Sequence, residues 1–129
     1  MAHHSRLAGF IIDCRTDDLH GAADFWRRAL GLPIVDPDDG GDGRYVSLAE
    51  GPGALHIEVQ KVEHESRVHL DIETDDLEAE VARLVALGAR EVSRPRDGRW
   101  VVMQAPTGQR FCVVRMHHPE RGAMPTRWP

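Results

Sequence analysis

The chain has only two cysteines in 129 residues, Cys14 and Cys112. Two thiols do not make a disulfide framework, and in a reducing compartment both default to free thiols. No apolar run comes near the roughly 20 residues that a membrane-crossing helix needs, and the start of the chain has no apolar signal-peptide core. The expected location is therefore the cytoplasm. Positive charge is also short: 16 Lys and Arg against 21 Asp and Glu leave a formal net charge of −5. Bulk charge thus recruits neither nucleic acid nor an anionic membrane. A phosphate-cradling glycine loop is missing too, as is any Ser/His/Asp set that strand alternation would bring together.

What remains is an ordinary soluble composition, 41% hydrophobic and 29% charged, of a length that suits one domain with a real core. Its informative feature is a repeat. Thr16-Asp17-Asp18-Leu19 returns as Thr74-Asp75-Asp76-Leu77, and each copy leads into a segment ending Ala29-Leu30-Gly31 or Ala86-Leu87-Gly88. Gly43-Arg44-Tyr45 then matches Gly98-Arg99-Trp100, and Gly51-Pro52-Gly53 matches Pro106-Thr107-Gly108. Each half reads as one βαβββ module. The predicted fold is α+β: two tandem modules, about 7–62 and 67–116, forming a curled mixed sheet around a cavity, with helices outside and a tail at 117–129.

Leu77, Val81, Leu84 and Val85 fall on one helical face, as do Leu19, Ala22, Ala23, Trp26 and Leu30 in the first copy. Asp75 and Glu78 have capping-box spacing, and Gly31 and Gly88 stand where left-handed C-terminal caps are expected. Strict alternation in Leu55-His56-Ile57-Glu58-Val59-Gln60 and Val68-His69-Leu70-Asp71-Ile72-Glu73 gives each strand an apolar face for the helices and a polar face for water or a cavity. Extending it places Ile11, Asp13, Arg15, Arg110, Cys112 and Val114 on the polar side. Cys14 then points into the core. His3-His4, near the terminus, support no reading.

These features resemble the vicinal oxygen chelate superfamily, which includes glyoxalase I, bleomycin-resistance proteins and extradiol dioxygenases. The resemblance spans Leu7 to about Met116 and rests on the paired modules, Asp18-Leu19 and Asp76-Leu77, Phe25-Trp26, Val68-His69-Leu70 and Pro106-Thr107-Gly108-Gln109-Arg110-Phe111. Within it the chain is most similar to a glyoxalase-like subgroup. The resemblance implies a homodimer with a small-molecule ligand. It also implies four metal-ligand positions drawn from His, Glu and Gln, which carry over to Ile11, Glu58, His69 and Cys112. Isoleucine has no donor, and a thiolate favours zinc over oxygen-loving ions. No cofactor is therefore the favoured expectation, with one divalent ion, zinc, held by Glu58, His69 and Cys112 as the alternative.

Two functional readings stand. One is a small-molecule-binding protein, in a resistance or sequestration role, taking a polar or cationic compound through Asp13, Arg15, His56, Asp71, Trp100 and Arg110. The other is a lyase- or dioxygenase-type enzyme, metal-assisted or using a His69/Glu58 acid-base pair. Each residue also has a structural reading: His69 as a hydrogen-bonded strand histidine, Arg15 and Arg110 as cross-strand salt-bridge partners of the acids, Tyr45 and Trp100 as packing beneath the helices, and Cys112 as a small buried residue. Asp36 to Gly43 reads as a solvated acidic loop, because the twelfth position from Asp36 is Ser47 and not the glutamate of a calcium loop.

Overall fold

The computed structural model of the protein describes residues 2–129. Among the described residues two α-helices and nine strands follow one another, the first eight strands and both helices in the expected order. β1 (His3–Arg15), α1 (Leu19–Leu30), β2 (Ile34–Asp39), β3 (Tyr45–Leu48) and β4 (His56–Val62) form one βαβββ set. β5 (Arg67–Thr74), α2 (Leu77–Ala86), β6 (Arg90–Ser93), β7 (Trp100–Gln104) and β8 (Arg110–Arg115) form the other, and a short β9 (Thr126–Trp128) closes the chain. The class is α+β. Among the described residues no helix is long and apolar enough to cross a membrane.

The contacts divide the chain into two compact units, residues 9–68 and residues 2–8 with 69–129. In the first, strands run in the order β2-β3-β4-β1, with β1 parallel to β4 and the other pairs antiparallel. Ile12, Leu19, Ala23, Val46, Leu48, Ile57 and Val59 make its core, with Trp26 and Cys14 packed against it. Desolvation raises the pKa of the Cys14 thiol above its ordinary value, as the inward reading requires. β2, at the edge of this sheet, accommodates Pro37, whose missing N–H costs an edge strand little. Gly9 lies where β1 meets β4: a Cβ there would sit 1.9 Å from the His56 carbonyl oxygen.

The second unit repeats the plan as β5-β8-β7-β6, with β5 parallel to β8 and β9 antiparallel to His3–Ser5. Leu77, Val81, Leu84, Ala89, Val101, Met103 and Val113 form its core. The repeated Thr-Asp-Asp-Leu is a helix-starting device. In each copy the threonine hydroxyl accepts from the amide of the second aspartate, and that aspartate accepts from the amide three residues on, Gly21 or Ala79. The leucine then enters the core. So Asp76 is the N-cap, not Asp75, which instead accepts from the backbone and ring of His4. Gly31 caps α1 in the left-handed region at φ 70°, as expected.

Two further expectations need correction. Leu30 and Val85, both expected on the inward helix faces, are exposed, and Glu80 of α2 is buried at 0% exposure. Glu80 is tolerated there because His3 Nε2 (2.8 Å), Arg83 Nε (2.8 Å) and Arg83 Nη2 (2.8 Å) all reach its carboxylate. His3 is thus buried in a network, not idle at a terminus. Arg83 also stacks 3.9 Å from the ring centroid of Trp128, whose indole N–H donates to Ser5 Oγ at 2.8 Å. The tail therefore lies against its own chain.

Candidate functional site

The strands place Ile12, Val46, Leu48, Ile57 and Val59 in the core of one unit and Ile72, Val101, Met103 and Val113 in or against that of the other, and turn the alternate residues to the opposite face. Val68 and Leu70 of β5, which the alternation also turned toward a helix, are exposed. In the first unit that face carries Ile11 and Asp13 of β1, His56, Glu58 and Gln60 of β4, and Tyr45 and Ser47 of β3, set side by side by the register Ile11 to Glu58, Asp13 to Gln60 and Ser47 to Glu58. The Glu58 carboxylate and the His56 ring are hydrogen-bonded, and Ser47 Oγ donates to Asp39 Oδ2 at 2.6 Å. One donor atom each from Asp39, His56 and Glu58 lies within 4.8 Å of the others. Burial raises the Glu58 pKa, the His56 hydrogen bond and charge oppose the rise, and the Asp39 charge adds to it. A glutamate poised to hold a proton beside an imidazole is equipped for proton transfer or for gripping a donor group on a ligand.

In the second unit the same face carries His69 and Asp71 of β5, Arg110, Cys112 and Val114 of β8, and Trp100, Val102 and Gln104 of β7. His69 Nε2 sits 3.5 Å from Asp71 Oδ1, and donor atoms of His69, Asp71 and Cys112 fall within 4.8 Å of one another. All three are half-buried. The repeat alone makes Ile11 equivalent to His69, but Ile11 faces Glu58 whereas Cys112 faces Asp71, two residues beyond His69. β8 is thus set along by two residues relative to β4, which is why the thiol groups with Asp71.

The sequence-predicted residues divide accordingly. His56 and Glu58 cluster in one unit; His69, Asp71 and Cys112 cluster in the other. Trp100 and Tyr45 lie on the polar faces, Gln60 Nε2 donating to the Tyr45 hydroxyl at 3.0 Å, so neither packs beneath a helix. Asp13 is buried, 3.6 Å from the Arg67 guanidinium. Glu73 accepts from Arg6 at 2.6 Å. The arginines that answer these acids are therefore Arg6 and Arg67, where Arg15 and Arg110 were expected: Arg15 is exposed at the end of β1, and Arg110 donates to Gln104 at 3.0 Å. Sequence reasoning also missed Asp39, placed in an acidic loop but brought to Glu58 by β2. Regular alternation sets Asp39, three residues from Asp36, on the opposite face, and only the bulge between them brings both into line with Ser47 and Tyr45.

The four metal positions implied by the resemblance do not fit a metal of the usual kind. Ile11 offers no donor and is 4% exposed, and Glu58 is already engaged by His56. The two-module α+β plan with polar strand faces nevertheless defines a protein of the vicinal oxygen chelate superfamily. Residues 9–114 match the family model described as glyoxalase-like domain, and the chain belongs to that family. No curated protein matches it.

Solved structures carry the same fold. A hypothetical protein from Bacillus halodurans C-125 superposes with a TM-score of 0.64 at 13% identity, over 88% of this chain and 95% of that one. Methylmalonyl-CoA epimerase from Mycobacterium tuberculosis gives 0.60 at 20%, over 86% and 87%. The Mn(II)-bound glyoxalase from Novosphingobium aromaticivorans gives 0.59 at 18%, over 89% of this chain and 40% of that one. At such identities the likeness establishes architecture and leaves chemistry to the site residues.

Proposed function

We propose that this protein is a glyoxalase-like small-molecule-binding protein that works without the metal of its metal-dependent relatives and holds a polar or cationic organic compound on its polar strand faces. The observation that carries the reading is the pairing of intact family architecture with a buried Ile11 at a ligand position, beside half-buried carboxylate and imidazole clusters. Polar groups turned from water are costly unless used or satisfied, and these clusters supply both acceptors and donors for a guest. A sequestration or resistance role follows if the compound is toxic. The test is a thermal-shift screen of organic cations and polar aromatics, with hits measured by calorimetry against His69→Ala and Glu58→Ala. Hits weakened in either variant, with folding kept, support the reading. A screen whose hits are indifferent to both variants removes it.

One observation favours a second reading, an enzyme of the lyase or dioxygenase type. His69, Asp71 and Cys112 present nitrogen, oxygen and sulfur donors within 4.8 Å, a set suited to zinc although it is not the family's. Elemental analysis after zinc loading decides it: about one ion per chain, lost in His69→Ala and Cys112→Ser, supports it. Absence of the ion under loading leaves the metal-free reading.

A further inference from the structure

The unit formed by residues 2–8 and 69–129 contains a cavity of about 490 Å³ whose lining residues, from the tail and from His4, Asp75 and Met116, include no member of the polar clusters. Its size falls within the range of small-molecule sites, roughly 300–1,000 Å³. Met116, Pro119, Met124 and Pro125 supply its apolar surface. Thioethers are polarizable and adaptable, and proline rings are rigid, so such a surface accepts flat or branched hydrocarbon bodies. The polar groups stand together on one side: His4 and Arg127 are directly paired across β1 and β9, with Asp75 beside them.

The three polar groups differ in what they have left to offer. Asp75 accepts from the His4 amide (2.7 Å) and from His4 Nδ1 (2.8 Å), so both its oxygens are turned to His4. The Arg127 guanidinium has no hydrogen-bond or ion-pair partner among the described residues, its backbone alone being paired with β1. The free directional group in the cavity is therefore a guanidinium, which matches a carboxylate with two parallel bonds.

The cavity is also held open in advance. Arg6, anchored to Glu73 at 2.6 Å, donates to the carbonyls of His118 (2.9 Å), Arg121 (2.5 Å) and Ala123 (2.6 Å), with Pro119 at 3.4 Å. One side chain thus fixes the backbone from which Pro119 and Met124 project. A ligand entering need not order this wall, which lowers the entropic cost of binding. Met124, 91% exposed, gains the most from being covered.

We propose that this cavity is a ligand site for an amphipathic organic anion, its carboxylate on Arg127 and its aromatic or branched body against Met116, Met124 and the two prolines. The proposal is independent of the polar strand faces. The test is calorimetric titration of the full chain with 2-naphthoate, using neutral 2-naphthol and cationic 2-naphthylmethylammonium for comparison. The expected result is one site per chain, affinity lowered about tenfold or more in Arg127→Gln and likewise in Met124→Asp, and unchanged in Leu87→Ala, which alters exposed apolar surface at the C-cap of α2. Weaker binding of the naphthol and the ammonium is expected alongside. No binding at about 1 mM naphthoate, equal affinity in Arg127→Gln, or equal affinity for the ammonium compound would each overturn it.

Discussion

Replacing Glu80 with alanine tests the network at the heart of the second unit. The carboxylate is wholly buried and receives three bonds of 2.8 Å, one from His3 and two from Arg83. Removing one member of a buried charged set typically costs about 3–5 kcal/mol, because the others are left desolvated and unmatched. Here His3 cannot turn to water, being 4% exposed, but the Arg83 side chain is 24% exposed and swings out at smaller loss. We therefore expect about 2–4 kcal/mol, or a fall in Tm of roughly 8–15 °C for a chain of this size. The assay is thermal and urea unfolding of the parent, Glu80→Ala, His3→Ala and the double variant. Because the two residues share a bond, the double variant should lose less than the sum of the singles by about 1 kcal/mol or more. Burial pushes the Glu80 pKa up, but the bonds from Arg83, His3 and Ser5 outweigh it and hold it below the ordinary value. A depressed acid stabilises above its unfolded pKa and loses that contribution as pH falls through the folded one. The gap between parent and Glu80→Gln should accordingly narrow in acid. A Glu80→Ala protein melting within about 2 °C of the parent, or strictly additive singles, would refute the reasoning.

Three other outcomes are expected. Glu58 has the opposite sign: its raised pKa means that its ionised form is disfavoured in the fold, so its contribution is greatest below the ordinary glutamate value and lost as pH rises through the folded one. Glu58→Gln should then raise Tm at pH 7 to 8, with the gain vanishing near pH 4; an unchanged difference across that range counts against the assignment. Gly9→Ala puts a methyl group against the His56 carbonyl and should cost about 2 kcal/mol or more, read as a lower urea midpoint; a neutral substitution would mean that β1 and β4 separate freely. Asp76→Ala removes the N-cap of α2 and should cost about 1 kcal/mol, whereas Glu78→Ala, the glutamate of the capping-box spacing, should cost less; the reverse order would restore that reading.

Much of the fold was written locally. The twofold Thr-Asp-Asp-Leu fixed where each helix starts, since a short polar side chain can satisfy an amide only within a few residues of itself. Strict alternation in β4 and β5 fixed which side chains oppose the helices, because the strand period of two admits no other arrangement. The polar-face residues His56, Glu58, His69, Asp71 and Cys112 were legible for that reason. Local patterns also misled where a distant partner intervened. Val85 was expected to face the core and is exposed, whereas Glu80 is fully buried, because His3, far away in the chain, meets it.

By itself the sequence determined the α+β class, the two modules, the helix starts and the alternation of faces, all of which follow from interactions between near neighbours. Tertiary structure alone decided which polar residues meet: Asp39 with Glu58, Asp71 with Cys112 through a two-residue offset, Arg6 with the tail carbonyls, and Arg127 with the cavity. Strand register and tail docking set those meetings, and both depend on packing between residues that no short-range pattern connects.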